Sequence, residues 1–193
     1  MLNKNCCARN RLARCAVSAF ALMAALTACT SDGYRYSTDY ACNFTFYVSR
    51  HQTSFLARVL DNPGLYAWVE VQKKLGVNHL MVHPNNGDAD EDIALTTEIE
   101  NSRLDYDMMG AGGQLIVGCS PFGERKAYDR QCPYCLDNTT TRKHPLEWTN
   151  NGQSVKCSRC NRVYSLSSGI SDDGERLKEY RVQSNGTVIQ IHN

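Results

Sequence analysis

Two Cys-x-x-Cys pairs, Cys132-Pro133-Tyr134-Cys135 and Cys157-Ser158-Arg159-Cys160, stand 21 residues apart near the end of the chain. Two residues between cysteines let one tight turn aim both sulfurs, and its backbone N–H groups, at a single point. Two such turns brought together set four thiolates at the corners of a tetrahedron, which Zn2+ favours with Zn–S bonds of about 2.3 Å. The usual ribbon spacing between pairs is about 15–20 residues, so this one lies just beyond it. Asn161 directly follows Cys160, and Asn tolerates the left-handed backbone such a turn often needs. Cys132, Cys135, Cys157 and Cys160 are therefore the candidate metal ligands, with Zn2+ as the expected ion. A single Fe or an all-cysteine [2Fe–2S] cluster is the alternative. In an oxidising compartment the same cysteines can instead form disulfides. A thioredoxin-type centre finds no βαβ context around either pair.

The compartment is read from the other end of the chain. Lys4, Arg9, Arg11 and Arg14 form a basic head without acidic residues, and an apolar stretch from Cys15 to Leu26 follows. That stretch is shorter than the ~20 residues a membrane-spanning helix needs. Head and stretch together have the order of a signal peptide over residues 1–28. Leu26-Thr27-Ala28-Cys29 resembles the lipobox of bacterial lipoproteins. The resemblance implies acyl chains on Cys29, which becomes the mature N-terminus, and a protein tethered to the cell envelope, with the outer membrane as its expected site. Residues 29–39 then form the lipidated tether and 40–193 the folded domain.

Loss of the head changes the charge. The 21 cationic residues of the whole chain fall by four to 17, against 20 acidic ones, a net of −3. Nucleic-acid binding rests on clustered positive charge, so that class of partner is not expected. Of ten cysteines, Cys6, Cys7 and Cys15 leave with the signal and Cys29 carries lipid. The remaining two outside the pairs, Cys42 and Cys119, are a candidate disulfide or two buried thiols.

Along the domain, strands are predicted at 43–49, 65–73, 80–82, 114–119 and 162–166. Residues 177–191 form a hairpin turning at Asn185-Gly186. One short helix is predicted at 53–60, with Phe55, Leu56, Val59 and Leu60 on one face and Thr53 or Ser54 as cap. Asp61-Asn62-Pro63-Gly64 ends it as a turn. Residues 85–92 read as a solvated acidic loop. Counting a Ca2+ loop from Asp88 puts Ile93 and Ile99 where Gly and Glu are needed. Gly110, Gly112 and Gly113 lack a phosphate-loop pattern and read as a turn. Trp68, Trp148 and Tyr164 read as packing residues. No histidine pair has metal spacing, and no nucleophile motif is present.

Ala127 to Cys132, and Cys157 to Leu166 with Gly169, resemble the two ligand loops of a Rieske-type domain. Leu177 to Val182, Gly186 and Ile189 resemble its closing strands. From about Tyr40 onward the chain is similar to a family of lipoproteins from gut Gram-negative anaerobes, through Asn62-Pro63-Gly64, Leu115-Ile116-Val117-Gly118 and Ala127-Tyr128-Asp129-Arg130. The resemblance implies a Rieske-like β-sandwich with a small metal-binding subdomain, and no particular activity. With the many short strands and the two Cys-x-x-Cys turns, the expected fold is all-β with a zinc-ribbon-like pair of metal knuckles and one short helix. A Rieske cluster needs two histidine ligands, and none of His51, His79, His83, His144 or His192 stands in such a position. A closed four-thiolate site also leaves no coordination position for substrate. The expected function is a noncatalytic, membrane-anchored envelope protein that binds or scaffolds an unidentified envelope partner; iron-based electron transfer is the alternative.

Overall fold

The computed structural model describes residues 35–103, 108–139 and 143–193. The signal segment, Cys29 and the first part of the tether lie outside the described residues. The body, Arg35–Asn193, is all-β. Its strands are β1 (Asn43–Phe46), β2 (Tyr66–Lys74), β3 (Val77–Pro84), β4 (Glu91–Leu95), β5 (Gln114–Cys119) and β6 (Arg125–Asp129), then β7 (Leu146–Thr149), β8 (Ser154–Cys157), β9 (Val163–Ser165), β10 (Glu179–Ser184) and β11 (Ile189–His192). The short α-helices are α1 (Phe55–Val59), α2 (Glu98–Arg103) and α3 (Pro133–Asn138). No helix among the described residues is long and apolar enough to cross a membrane.

Eight strands form one antiparallel sheet in the order β1-β11-β10-β6-β5-β2-β3-β4, and β7-β8-β9 form a second, smaller one. Strand β10 is the corner of the large sheet. Its first two residues pair with β6 (Glu179 with Tyr128, Tyr180 with Ala127) and its last four with β11. The β1-β11-β10 part therefore folds over the rest. Phe44, Phe46, Ile189 and Ile191 share one core with Ala67, Val69, Val71, Leu80, Val82, Leu115 and Val117. Side chains alternate across a strand, so Tyr66, Ile116 and Tyr128 point to the other face of the sheet. There they join a second core built with the metal-loop residues.

The helix expected at 53–60 forms as α1, and the Ser54 hydroxyl caps it by accepting from the Ala57 N–H at 3.3 Å. Two further helices join it. One carries no apolar stripe, and the other is a six-residue helix with Pro133 at its first position. Strand β1 stops at Phe46, and Val48–Arg50 wind into a 3-10 turn instead of extending the strand to Ser49. The acidic loop ends early: β4 begins at Glu91 and pairs along β3, with charged side chains of the kind that protect an edge strand. The hairpin at Asn185-Gly186 is present, with Gly186 at φ +81° and the Asn185 side chain accepting from the Thr187 and Val188 N–H groups.

Candidate metal centre

Residues 130–178, inserted between the paired strands β6 and β10, carry the four cysteines. Cys132 occupies the cap position of α3; its N–H donates to the His144 carbonyl at 3.0 Å, and its carbonyl accepts from the Leu136 N–H at 3.0 Å. The Cys135 N–H turns back to the Cys132 sulfur. The second turn follows β8: the Cys157 N–H donates to the Arg162 carbonyl, and the Asn161 N–H returns to the Cys157 carbonyl, both at 3.0 Å. Asn161 takes φ +61°, the left-handed conformation expected of it. The Arg162 N–H points at the Cys160 sulfur.

These two turns bring all four sulfurs within 4.8 Å of one another. Cys132 Sγ lies 3.6 Å from Cys160 Sγ, and Cys135 Sγ 3.8 Å from Cys157 Sγ. A tetrahedron with metal–sulfur bonds of ~2.3 Å has edges of about 3.8 Å. A disulfide needs about 2.05 Å, and all four cysteines are free thiols. The disulfide alternative is thus not the arrangement found; the four sulfurs are placed so that together they could hold a metal ion.

Burial acts against thiolates here. It pushes the Cys132 thiol far above its ordinary range, and burial together with the Cys157 contact raises Cys135 to about 11. A cation placed among the sulfurs removes that cost, because it stabilises the deprotonated form. Cys160 behaves differently. Burial opposes its ionisation, but hydrogen bonds from the Arg162 backbone and side chain prevail and bring it to about 7. The Arg162 guanidinium is held by Asp173 at 2.6 Å and stacks 3.4 Å over the Tyr134 ring. Tyr164 places its hydroxyl 3.6 Å from Cys132 Sγ. Sequence reasoning missed Arg162 and Tyr134. The only hint was an arginine two positions after the last cysteine.

The site is clasped to the large sheet. The Tyr66 and Tyr128 hydroxyls both donate to the Leu166 carbonyl, at 3.0 and 3.1 Å. Gly169, at φ +71°, lies so close to the Tyr128 ring that a side chain there would have to displace it. Asn85 adds a polar tie, donating to the carbonyls of Gly64 and Gly152 at 3.0 and 2.9 Å.

The other candidates lie elsewhere. Cys42 and Cys119 are free and buried, and the candidate disulfide is not formed. Cys42 bridges to Met109, before the start of β5, and its thiol donates to the Ile191 carbonyl. Cys119 is the last residue of β5 and contacts the Ser120 carbonyl. The length of β5 separates them. Three histidines pair with carboxylates: His51 with Glu100, His79 with Asp92 and His83 with Asp90. Asp88 is held by Arg58. Trp68 packs between His83 and Arg130, each 3.4 Å from its ring. Among the described residues the four cysteines are the one group of three or more His, Cys, Asp or Glu placed to hold a metal. No protein-family model and no curated protein matches the chain.

Proposed function

We propose that this chain is a lipid-anchored envelope protein whose four cysteines hold a structural Zn2+, and that it works as a noncatalytic binding or scaffolding module. The observation that carries the reading is the closure of the ligand set: four sulfurs converge on one point, so a tetrahedral ion there has no vacant position for substrate. Their mutual distances favour one ion over a two-iron cluster, whose irons would hold the cysteine pairs apart. The ion would fasten α3 to the β8–β9 turn. Support for the anchor is the basic head, the apolar stretch and Leu26-Thr27-Ala28-Cys29 in one register. In the same reading the body is a Rieske-type sandwich whose ligand loops carry cysteines throughout, supported by the small metal sheet inserted between two paired strands of the large one.

Metal analysis and a visible spectrum of anaerobically purified protein test the ion. A colourless protein with about one zinc per chain is expected, whereas iron with thiolate absorption that bleaches on reduction puts electron transfer first. Acyl labelling of wild type and Cys29→Ala tests the anchor. Label should vanish in the variant together with membrane association.

A further inference from the structure

Two large apolar side chains stand far out of the body at opposite ends of the sheet. Leu75 sits at the β2–β3 turn and Phe122, 85% exposed, at the β5–β6 turn. Tyr66 at the start of β2 pairs with Gly118 near the β5–β6 turn, so the rise of a strand puts Leu75 roughly 30 Å away along β2. Only one of these turns lies beside the place where the described chain begins. Arg35 reaches Glu179 at 3.0 Å and Glu124 at 3.9 Å, and Glu124 is two residues from Phe122. Cys29 precedes Arg35 by six residues, which span at most about 20 Å when fully extended.

We infer that the β5–β6 turn is a membrane-contact element, with Phe122 seated among the headgroups and upper acyl chains of the bilayer that holds the lipid on Cys29. The inference rests on the lipid-anchor reading. A tether this short keeps the Arg35 end of the body close to the bilayer surface. An exposed aromatic ring at that end can then leave water at little further ordering cost. The charges around the turn are compatible with such contact. Its carboxylates are each paired: Asp61 with Arg125, Glu124 with Lys126, and Glu179 with Arg35. Arg181 stacks on Tyr36 and has no carboxylate partner among the described residues, which leaves a cation for anionic headgroups. Leu75 faces away from the anchored end and serves as the internal control.

The test uses the full lipidated chain in phosphatidylcholine–phosphatidylglycerol vesicles, with and without brominated acyl chains, which quench nearby tryptophan. Three proteins are compared: the parent, Phe122→Trp and Leu75→Trp. The native tryptophans, Trp68 and Trp148, pack against the second core and form a common background. The added emission of Phe122→Trp should fall at least about twofold in brominated vesicles, while that of Leu75→Trp and the parent stays constant. Vesicle flotation and the mass of the Cys29 peptide are read in the same samples. Acylated, floating protein with equal quenching at 122 and 75 overturns the membrane contact alone. An unacylated Cys29 overturns the anchor reading, and the contact with it.

Discussion

The clasp between the metal loops and the large sheet converges on one atom, the Leu166 carbonyl oxygen, and this makes its energetics predictable. Tyr66 and Tyr128 approach it from β2 and β6, the strands on either side of β5, and are themselves fully buried. Replacing either with Phe keeps the ring and removes one hydrogen bond, while the carbonyl keeps its other donor. The expected cost is about 1 kcal/mol each. Replacing both leaves a buried carbonyl with neither donor, and the desolvation penalty of roughly 1–3 kcal/mol then appears in full. The double variant should therefore exceed the sum of the singles by about 1–2 kcal/mol, within the range seen for residues sharing a partner. For a domain of this size 1 kcal/mol lowers Tm by about 2–4 °C. The singles should fall by a few degrees and the double by about 10 °C.

The assay is urea unfolding of wild type, Tyr66→Phe, Tyr128→Phe and the double variant, all with the metal site filled. Burial pushes both hydroxyls above their ordinary pKa, so they remain neutral donors and the coupling should not change between neutral and mildly alkaline pH. If the double-variant loss equals the sum of the singles within ~0.3 kcal/mol, the shared carbonyl does not couple the two tyrosines and the clasp argument fails.

Cys135→Ser should make the 136–156 stretch cleavable by protease while the β2–β3 and β10–β11 hairpins stay protected; uniform cleavage across the body would refute the local role of the site. Thiol counting on unfolded, metal-stripped mature protein should give six free thiols, and reducing agent should leave Tm unchanged; four thiols would mean that Cys42 and Cys119 are bridged after all. Glu100 supplies a pH test: burial works against its charge, but the Thr97 hydroxyl and His51 bonds prevail and lower its pKa below the ordinary value of 4.5. Because the folded pKa is the lower one, the carboxylate stabilises the fold above the unfolded pKa, and that contribution is lost as pH falls through the folded value. The Tm gap between wild type and Glu100→Gln should be widest near neutrality and shrink as pH falls below 4.5, and a gap that stays constant down through the acid range would show that the bonds to Glu100 contribute nothing.

The ligand set was legible because Cys-x-x-Cys turns encode their geometry locally, and Asn161 even marks the left-handed residue of the second turn. Strand β2 was legible for a related reason: Ala67, Val69 and Val71 alternate with residues of the other face. Strands β7 and β8 were not read. Each has four residues, too few to show a clear alternation, and they pair with each other from Leu146–Cys157 to Thr149–Ser154. Strand β4 was not read as a strand: its first two residues, Glu91 and Asp92, fell in the acidic loop because acidic residues lower strand propensity, whereas pairing with β3 decides the matter. The fate of Cys42 and Cys119 could not be read at all. Both were expected near strand ends, and only the antiparallel order of the sheet reveals that these are different ends.

The insertion point of the metal loops explains why a closed site would suit this body. Strands β6 and β10 pair through Tyr128–Glu179 and Ala127–Tyr180, so the large sheet and its inner core would not depend on an ion held by the 130–178 segment. The outer face does need a cover. Tyr66, Ile116 and Tyr128 would stand in water there, were they not packed under Leu146, Val155, Tyr164, Leu166 and Leu177. The described residues of the covering segment form only three short strands, the six-residue helix α3 and a 3-10 turn at Asn150–Gly152, too little to hold its shape by apolar burial alone. Four thiolates around one ion would supply the missing constraint at the two turns where that segment reverses direction. A reactive metal would need its exposed side free. Three of the four sulfur-bearing residues are buried, and Cys160, the fourth, lies under the Arg162 guanidinium, itself fixed by Tyr134 and Asp173. Under the proposed function an ion there would act as a fastener for the cover, and a binding partner would be sought on the surface of the sheet that the cover leaves open.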